Sequence, residues 1–288
     1  MTSTTVAVVD AAVLERLEQY AATVAHDFGL ITRTRWAGVY LQGLLLDGER
    51  KSIEPLSRRV RTPGWRGDTE QALQQFVTQS PWDHQAVRRT YRHTMAAALA
   101  DPPGVIVIDD TGFAKKGTHS VGVARQYSGT LGKRDNCQVA VSLHYAAPSG
   151  DYPLTVRLYL PESWTNAPER LAAAGVPAAE QGFATKPELA LHLLDQVRQE
   201  GLPHAAVVAD AGYGPSAELR AGLEARGERY VVGLTGEEVV LTAPPTWAVR
   251  PAPASRQGRN PARWYLAPAT PSPSAVKTLA QTLERARG

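Results

Sequence analysis

The chain is poor in several things, and each scarcity closes off a class of function. It has one cysteine, Cys137, in 288 residues. An internal disulfide is therefore excluded, and the expected location is a reducing cytoplasm. The seven histidines are dispersed and have no spacing with Cys137 that would suit zinc. No run of about 18 apolar residues occurs, so no membrane-spanning helix and no membrane partner are expected. Residues 1–10 lack the basic start and apolar stretch of a signal peptide. Gly122, Gly129 and Gly132 do not make a phosphate loop, because the closing Gly-Lys-Ser/Thr is missing. Ser128 and Ser142 lack the strand-turn-helix setting of a nucleophile elbow. Excess charge is small too: 31 Lys and Arg against 28 Asp and Glu leave +3. That balance is compatible with a nucleic-acid partner and says little more.

What is present points to a folded protein. Hydrophobic residues make up 43% of the chain and charged residues 20%, enough to bury a sizeable core in one or two domains. Residues 11–28 carry Val13, Leu14, Leu17, Tyr20, Ala21 and Val24 at helical spacing. Residues 35–46 predict a second helix, closed by Asp47-Gly48. Residues 52–60, 69–77 and 83–100 predict three more, the last opened by Pro81-Trp82-Asp83. The first hundred residues thus read as an all-helical region, a candidate for DNA binding.

The pattern changes after Asp101-Pro102-Pro103-Gly104. Val105-Ile106-Val107-Ile108 has the character of a buried central strand. Residues 120–126, 137–145 and 152–160 are further strand candidates, separated by turns at 128–135 and 149–151 and read as an antiparallel meander. Helix 186–200, strand 205–209, helix 216–226 and strand 230–234 follow. The order β-β-β-α-β-α-β, three antiparallel strands and then alternating helices and strands, predicts a mixed α/β fold with a ribonuclease-H-like core over residues 101–241. Eight of the 21 prolines lie between Pro244 and Pro273, so residues 242–288 read as a mostly irregular segment. One short strand at 262–266 and a closing helix at 274–286 are expected within it.

The residues best suited to chemistry are acidic. Asp109 and Asp110 follow the Val-Ile-Val-Ile strand, and Asp210 follows Ala206-Val207-Val208-Ala209. A carboxylate at the end of a buried strand is costly to desolvate unless it is paired or holds a cation. In the predicted fold, adjacent strand ends bring these residues together across a hundred positions. Two such carboxylates suit Mg²⁺ or Mn²⁺ with retained waters, and a two-metal site can activate a nucleophile and stabilise a leaving oxygen in phosphoryl transfer. The alternative is that these Asp residues are turn-formers or caps.

Several blocks carry a family resemblance. One runs from Asp109-Asp110-Thr111-Gly112-Phe113-Ala114-Lys115-Lys116 through Gln138-Val139-Ala140-Val141-Ser142. Others are Arg157-Leu158-Tyr159-Leu160-Pro161-Glu162-Ser163-Trp164, Phe183-Ala184-Thr185-Lys186-Pro187-Glu188-Leu189-Ala190 and Asp210-Ala211-Gly212-Tyr213-Gly214. Ser80-Pro81-Trp82-Asp83 and Gly43-Leu44-Leu45 belong with them. Together, over about residues 30–235, they are similar to bacterial insertion-sequence DDE transposases. The resemblance implies a ribonuclease-H-like core that cuts and joins double-stranded DNA with Mg²⁺ or Mn²⁺, acting as a homodimer on element ends and target. It places the first catalytic and metal-binding Asp on Asp110, with Asp109 as the alternative, and the second on Asp210.

The third carboxylate of that family is a Glu on a helix reading Arg-Trp-x-Ile-Glu, and this sequence departs from the pattern there. The closing helix holds one acid, Glu284, beside Arg285 and Arg287, which reads as a solvated face. Glu218 and Glu224 lie near Asp210 in sequence but not where the pattern puts the ligand. Lys115, Lys116, Arg125, Lys133 and Arg134 flank the first hairpin and could hold DNA phosphates without reading sequence; an ordinary solvated hairpin is the alternative. Arg58, Arg59, Arg61 and Arg66 form a second basic group, and Arg88, Arg89 and Arg92 share a helix. Trp82 and Trp164 read as packing residues. The expected function is transposase strand cleavage and transfer. A catalytically inactive derivative that only binds DNA is the alternative, and a two-carboxylate glycosidase would explain the Asp residues but not the blocks.

Overall fold

The computed structural model describes residues 11–250 and 263–287. The signal-peptide reading of residues 1–10 and part of the proline-rich stretch, 251–262, lie outside the described residues. The chain divides into two compact units, residues 1–100 with 200–202, and residues 101–199 with 203–288.

The first unit is helical. It holds α1 (Ala11–Ala25) with a 3-10 turn (His26–Phe28), α2 (Ile31–Leu45), α3 (Ile53–Ser57), α4 (Thr69–Thr78) and α5 (His84–Leu99). The side chains of Asp68 and Asp83 start α4 and α5 by accepting amide protons, Asp68 from Gln71 and Asp83 from Gln85 and Ala86. The expected helix at 52–60 shrinks to five residues. Just past its end the Arg59 guanidinium ties the turn together instead, donating to the carbonyls of Asp47, Arg50 and Pro55. Phe28, Trp36, Leu56, Leu73 and Phe76 form the core, with Trp82 packed against it. The Phe28 ring lies 5.5 Å from Phe76 and 5.0 Å from Trp82. Each such aromatic contact adds about 1 kcal/mol to the burial term. Arg92 is buried and pairs with Glu200, so it is not available to DNA, contrary to the grouping with Arg88 and Arg89.

The second unit is built on a six-stranded sheet. Its strands are β1 (Val105–Ala114), β2 (Ala124–Ser128), β3 (Lys133–Ala147), β4 (Gly150–Leu158), β5 (Ala206–Ala209) and β6 (Tyr230–Val232). The order is β2-β3-β1-β5-β6, with β4 also on β3. β3 pairs antiparallel with β1, β2 and β4, while β5 lies parallel to β1 and β6 parallel to β5. This is the ribonuclease-H-like arrangement, with one change from expectation. The four strands read ahead of the alternating part all form, but β2 and β4 share one edge of the long β3 rather than continuing a simple meander. β3 is long because Lys133 and Arg134, expected in a turn, already pair with Ser128 and Tyr127. Pro153 sits on β4 beside a register shift at Leu143/His144, where a missing amide proton does least harm.

Two short helices not expected from the sequence, α6 (Glu162–Thr165) and α7 (Pro168–Ala173), form around Trp164. Its ring is buried, its Nε1 donates to the Val123 carbonyl at 2.8 Å, and the Arg170 guanidinium stacks 3.6 Å from its centroid. α8 (Lys186–Gln199) buries Leu189, Ala190, Leu193, Leu194 and Val197 and packs on β3 and β4. Each leucine so buried contributes about 2 kcal/mol. α9 (Ala217–Ala225), capped by Ser216, links β5 to β6. The proline-rich end is less irregular than expected. β7 (Val239–Val240) pairs with β10 (Ser274–Ala275), β8 (Trp247–Arg250) pairs with β9 (Arg263–Leu266), and α10 (Val276–Arg287) follows. Among the described residues no helix is long and apolar enough to cross a membrane.

Candidate functional site

The site is assembled by strand register. β1 does not stop at Ile108 as expected. Six further residues, Asp109 to Ala114, keep pairing with β3, although they lack the apolar alternation that would have signalled a strand. Asp109 and Asp110 are therefore mid-strand. On the other side β5 ends at Ala209, opposite Ile108. Asp210 is the next residue, so the second carboxylate leaves the sheet level with Asp109 and one residue short of Asp110.

Alternation separates the two neighbours on β1. Ile106 and Ile108 are fully buried, and Asp110 continues their face. Asp109 belongs to the opposite face, with Val105 and Val107. Its Oδ1 accepts from the Asp110 amide at 2.7 Å, and its carbonyl accepts from the Ser142 hydroxyl at 3.3 Å. Asp110 is half-buried, and its Oδ2 lies 2.5 Å from Lys186 Nζ.

Lys186 was not singled out by sequence, although the signal that places it was there. Thr185-x-x-Glu188 is a capping box: the Thr185 amide donates to Glu188 Oε2 at 2.6 Å, and the Glu188 amide donates to Thr185 Oγ1 at 3.3 Å. Lys186 is thereby fixed as the first residue of α8.

Asp210 makes the turn that carries it. Its Oδ1 accepts from the Gly212 amide at 2.9 Å, and its carbonyl accepts from the amides of Tyr213 and Gly214 at 3.1 and 3.0 Å. Gly214 is required there, because a Cβ would lie 1.7 Å from the Gly233 carbonyl oxygen. The turn aims Tyr213 inward. Its ring is 3% exposed and its hydroxyl has no hydrogen-bond partner among the described residues. Burial raises its pKa far above the usual tyrosine range, and the negative charges of Asp110, Asp109 and Asp210 raise it further. The Tyr213 hydroxyl thus lies in the field of all three carboxylates.

The five hairpin cations do not form one patch. By register Arg125 and Arg134 share a face with Tyr127 between them, while Lys133 is on the other. Lys133 is 2.8 Å from Asp135, and that bond holds the Asp135 carboxyl below its usual range. Lys115 and Lys116 begin the loop after β1, where Asn136 Nδ2 donates to the carbonyls of Lys115 and Gly117 at 2.7 and 3.0 Å. Of the acids weighed as a third ligand, Glu224 accepts from the Tyr230 hydroxyl at 2.7 Å, and Glu218 lies in the first turn of α9. The side chain of Glu284 lies outside the described residues. Cys137, buried behind the site, has its thiol pKa raised by burial.

A family model described as DDE superfamily endonuclease matches residues 24–288. The chain belongs to the DDE endonuclease superfamily. It is also 31% identical over 203 residues to a protein of Microchaete diplosiphon named "Probable transposase for insertion sequence element IS701". That match covers 70% of this chain and 49% of the relative, so the chain spans about half the length of the curated relative it matches.

DDE endonucleases work with divalent metal ions, and the donor set suits that need in part. Asp110 and Asp210 supply hard oxygens within one residue of the same level of the sheet, and Asp110 already attracts a cationic group. A buried hydroxyl without a partner lies among the carboxylates. These features fit an ion that keeps several waters and takes only one or two carboxylates from the protein. No cluster of three or more His, Cys, Asp or Glu suited to a metal occurs among the described residues.

Proposed function

We propose that this chain forms the catalytic core of an insertion-sequence transposase, with Asp110 and Asp210 holding Mg²⁺ or Mn²⁺ against a DNA phosphodiester. The observation that supports the reading is the register of β1 and β5, which brings Asp210 within one residue of the level of Asp110, with the unpartnered Tyr213 hydroxyl in the field of both. The bound metal would supply Lewis-acid stabilisation and an activated oxygen nucleophile. The chain's own part is positioning. β1 and the Asp210 turn hold the two carboxylates in place, and Asp109, the alternative to Asp110, lies on the opposite face of the strand. Water would attack one strand, and the freed 3′-hydroxyl would then attack target DNA, aligned by the same residues.

Double-stranded DNA is the partner this chemistry requires, and a pair of chains would bring two element ends together. Lys115, Lys116, Arg125, Lys133 and Arg134 border the strand that carries Asp110, and their charge supports phosphate contact; Arg125 and Arg134, sharing a face, support it best. Asp210→Ala should lower Mn²⁺-dependent nicking of a duplex substrate by at least about a hundredfold, with the fold intact by circular dichroism. Undiminished nicking would remove Asp210 from the mechanism.

A second reading is a DNA-binding chain without strand cleavage. Salt-dependent retention of duplex DNA without any nicking in Mg²⁺ or Mn²⁺ is its signature.

A further inference from the structure

The most specific contact at the site belongs to a residue with no assigned role. Lys186 Nζ approaches Asp110 Oδ2 to 2.5 Å, and the two side chains are 29% and 18% exposed. This pair is neither a deep structural bridge nor a fully solvated one. It stands where solvent can reach both partners. The backbone of Lys186 is fixed by the Thr185–Glu188 capping box, with Pro187 next in the first turn, where no amide donor is needed. Beyond that anchor the side chain is four methylenes ending in an ammonium, a hydrated point charge with three donors.

An ammonium on Asp110 competes directly with a metal ion there. Two cations on one carboxylate repel each other, so the lysine and a metal on Asp110 weaken one another. We propose that Lys186 is a positioning residue with two partners. It holds Asp110 oriented while no metal is bound, and it yields that carboxylate to a divalent cation. It then turns, on a fixed anchor, to a backbone phosphate of the DNA lying across the site. The inference rests on the reading of Asp110 as a metal ligand. It adds that the chain supplies its own place-holding cation and reuses it on the substrate.

The test uses the full chain and the variants Lys186→Met, Lys186→Arg and Asp110→Asn. Mn²⁺ affinity is read by electron paramagnetic resonance of free Mn²⁺. Removing the internal competitor should tighten Mn²⁺ binding in Lys186→Met by about tenfold, the equivalent of one charge-assisted bond. Affinity for a short duplex of arbitrary sequence is then followed against salt. With Mn²⁺ present, the log–log slope for Lys186→Met should fall by about one relative to the unsubstituted chain, because one phosphate no longer has its cation. Without divalent ion the slopes should coincide, because Lys186 is then held by Asp110. Lys186→Arg should restore the slope in Mn²⁺.

Unchanged or weaker Mn²⁺ binding in Lys186→Met overturns the proposal, as does a slope that ignores Mn²⁺. The Asp110→Asn control separates the failures. If it leaves Mn²⁺ affinity intact, the metal reading of Asp110 falls and takes this inference with it. If it weakens Mn²⁺ binding while Lys186→Met does not strengthen it, the inference alone falls.

Discussion

A buried hydroxyl with no partner is an expense that a protein tuned only for stability would not carry. Tyr213 carries one, beside three carboxylates that make it harder to ionise. Replacing it with phenylalanine keeps the ring and removes the desolvated oxygen. Tyr213→Phe should leave the thermal midpoint unchanged or raise it, by the equivalent of up to about 1 kcal/mol. It should also weaken Mn²⁺ binding several-fold, because the hydroxyl can donate to an ionised carboxylate or to a metal-bound water. A fall in midpoint with unaltered Mn²⁺ affinity would show that the hydroxyl serves packing alone. The sequence allowed Asp110 and Asp210 to be picked out, because acids placed directly after β-branched runs stand out against their surroundings. It did not mark Tyr213 or Lys186. Both matter through the third dimension: a tight glycine turn aims one inward, and a helix cap holds the other across from β1.

Among the elements, α8 and α9 show how the frame of the site is held at the end far from Lys186. Arg226, just past the end of α9, donates to both oxygens of Asp195 on α8, at 2.7 and 2.6 Å. This pairing holds the Asp195 carboxyl below its usual range. The lowered folded-state pKa fixes the sign of the pH effect. The contribution is present above the unfolded carboxyl value, about 3.9, and is lost as pH falls through the lower folded value. The stability gap between the unsubstituted chain and Asp195→Asn, followed by urea midpoints, should therefore be constant near neutrality and close below about pH 4. A gap that widens in acid would show that another group dominates. Elements with strong periodicity or clear punctuation were legible in advance: α4, α5, α8, α9 and β5 begin and end within a few residues of expectation. The misjudged elements lacked local signal. Residues 109–114 form a strand only because β3 offers them a partner, and α6 and α7 form around Trp164, whose ring nitrogen finds its partner in Val123, 41 residues earlier.

For the molecule as a whole, the mild net charge of +3 understates what one surface can do. Arg125 and Arg134 share a face of the β2–β3 hairpin, whereas Lys133 is matched by Asp135. Non-specific duplex binding should therefore fall with salt. The double variant Arg125→Ala, Arg134→Ala should reduce the log–log slope by about two. Lys133→Ala should reduce it by less than about one, its charge being already shared with Asp135; equal reductions from all three cations would contradict the register-based division. The general architecture was legible because an all-helical region, an antiparallel block and an alternating block differ in period. The sharing of one β3 edge by β2 and β4 was not, since no local pattern reports which edge a strand will choose.

The turn at Asp210 also limits how this protein can change. A Cβ at Gly214 would strike the Gly233 carbonyl oxygen at 1.7 Å, and one at Gly233 would come within 2.7 Å of the Ala211 amide nitrogen. Two backbones touch there with no side chain between them, so neither position can be explored by single substitutions without moving the second carboxylate. Attempts to evolve new activity into this scaffold must leave that contact alone and draw their variation from the β2–β3 hairpin surface, where side chains are exposed.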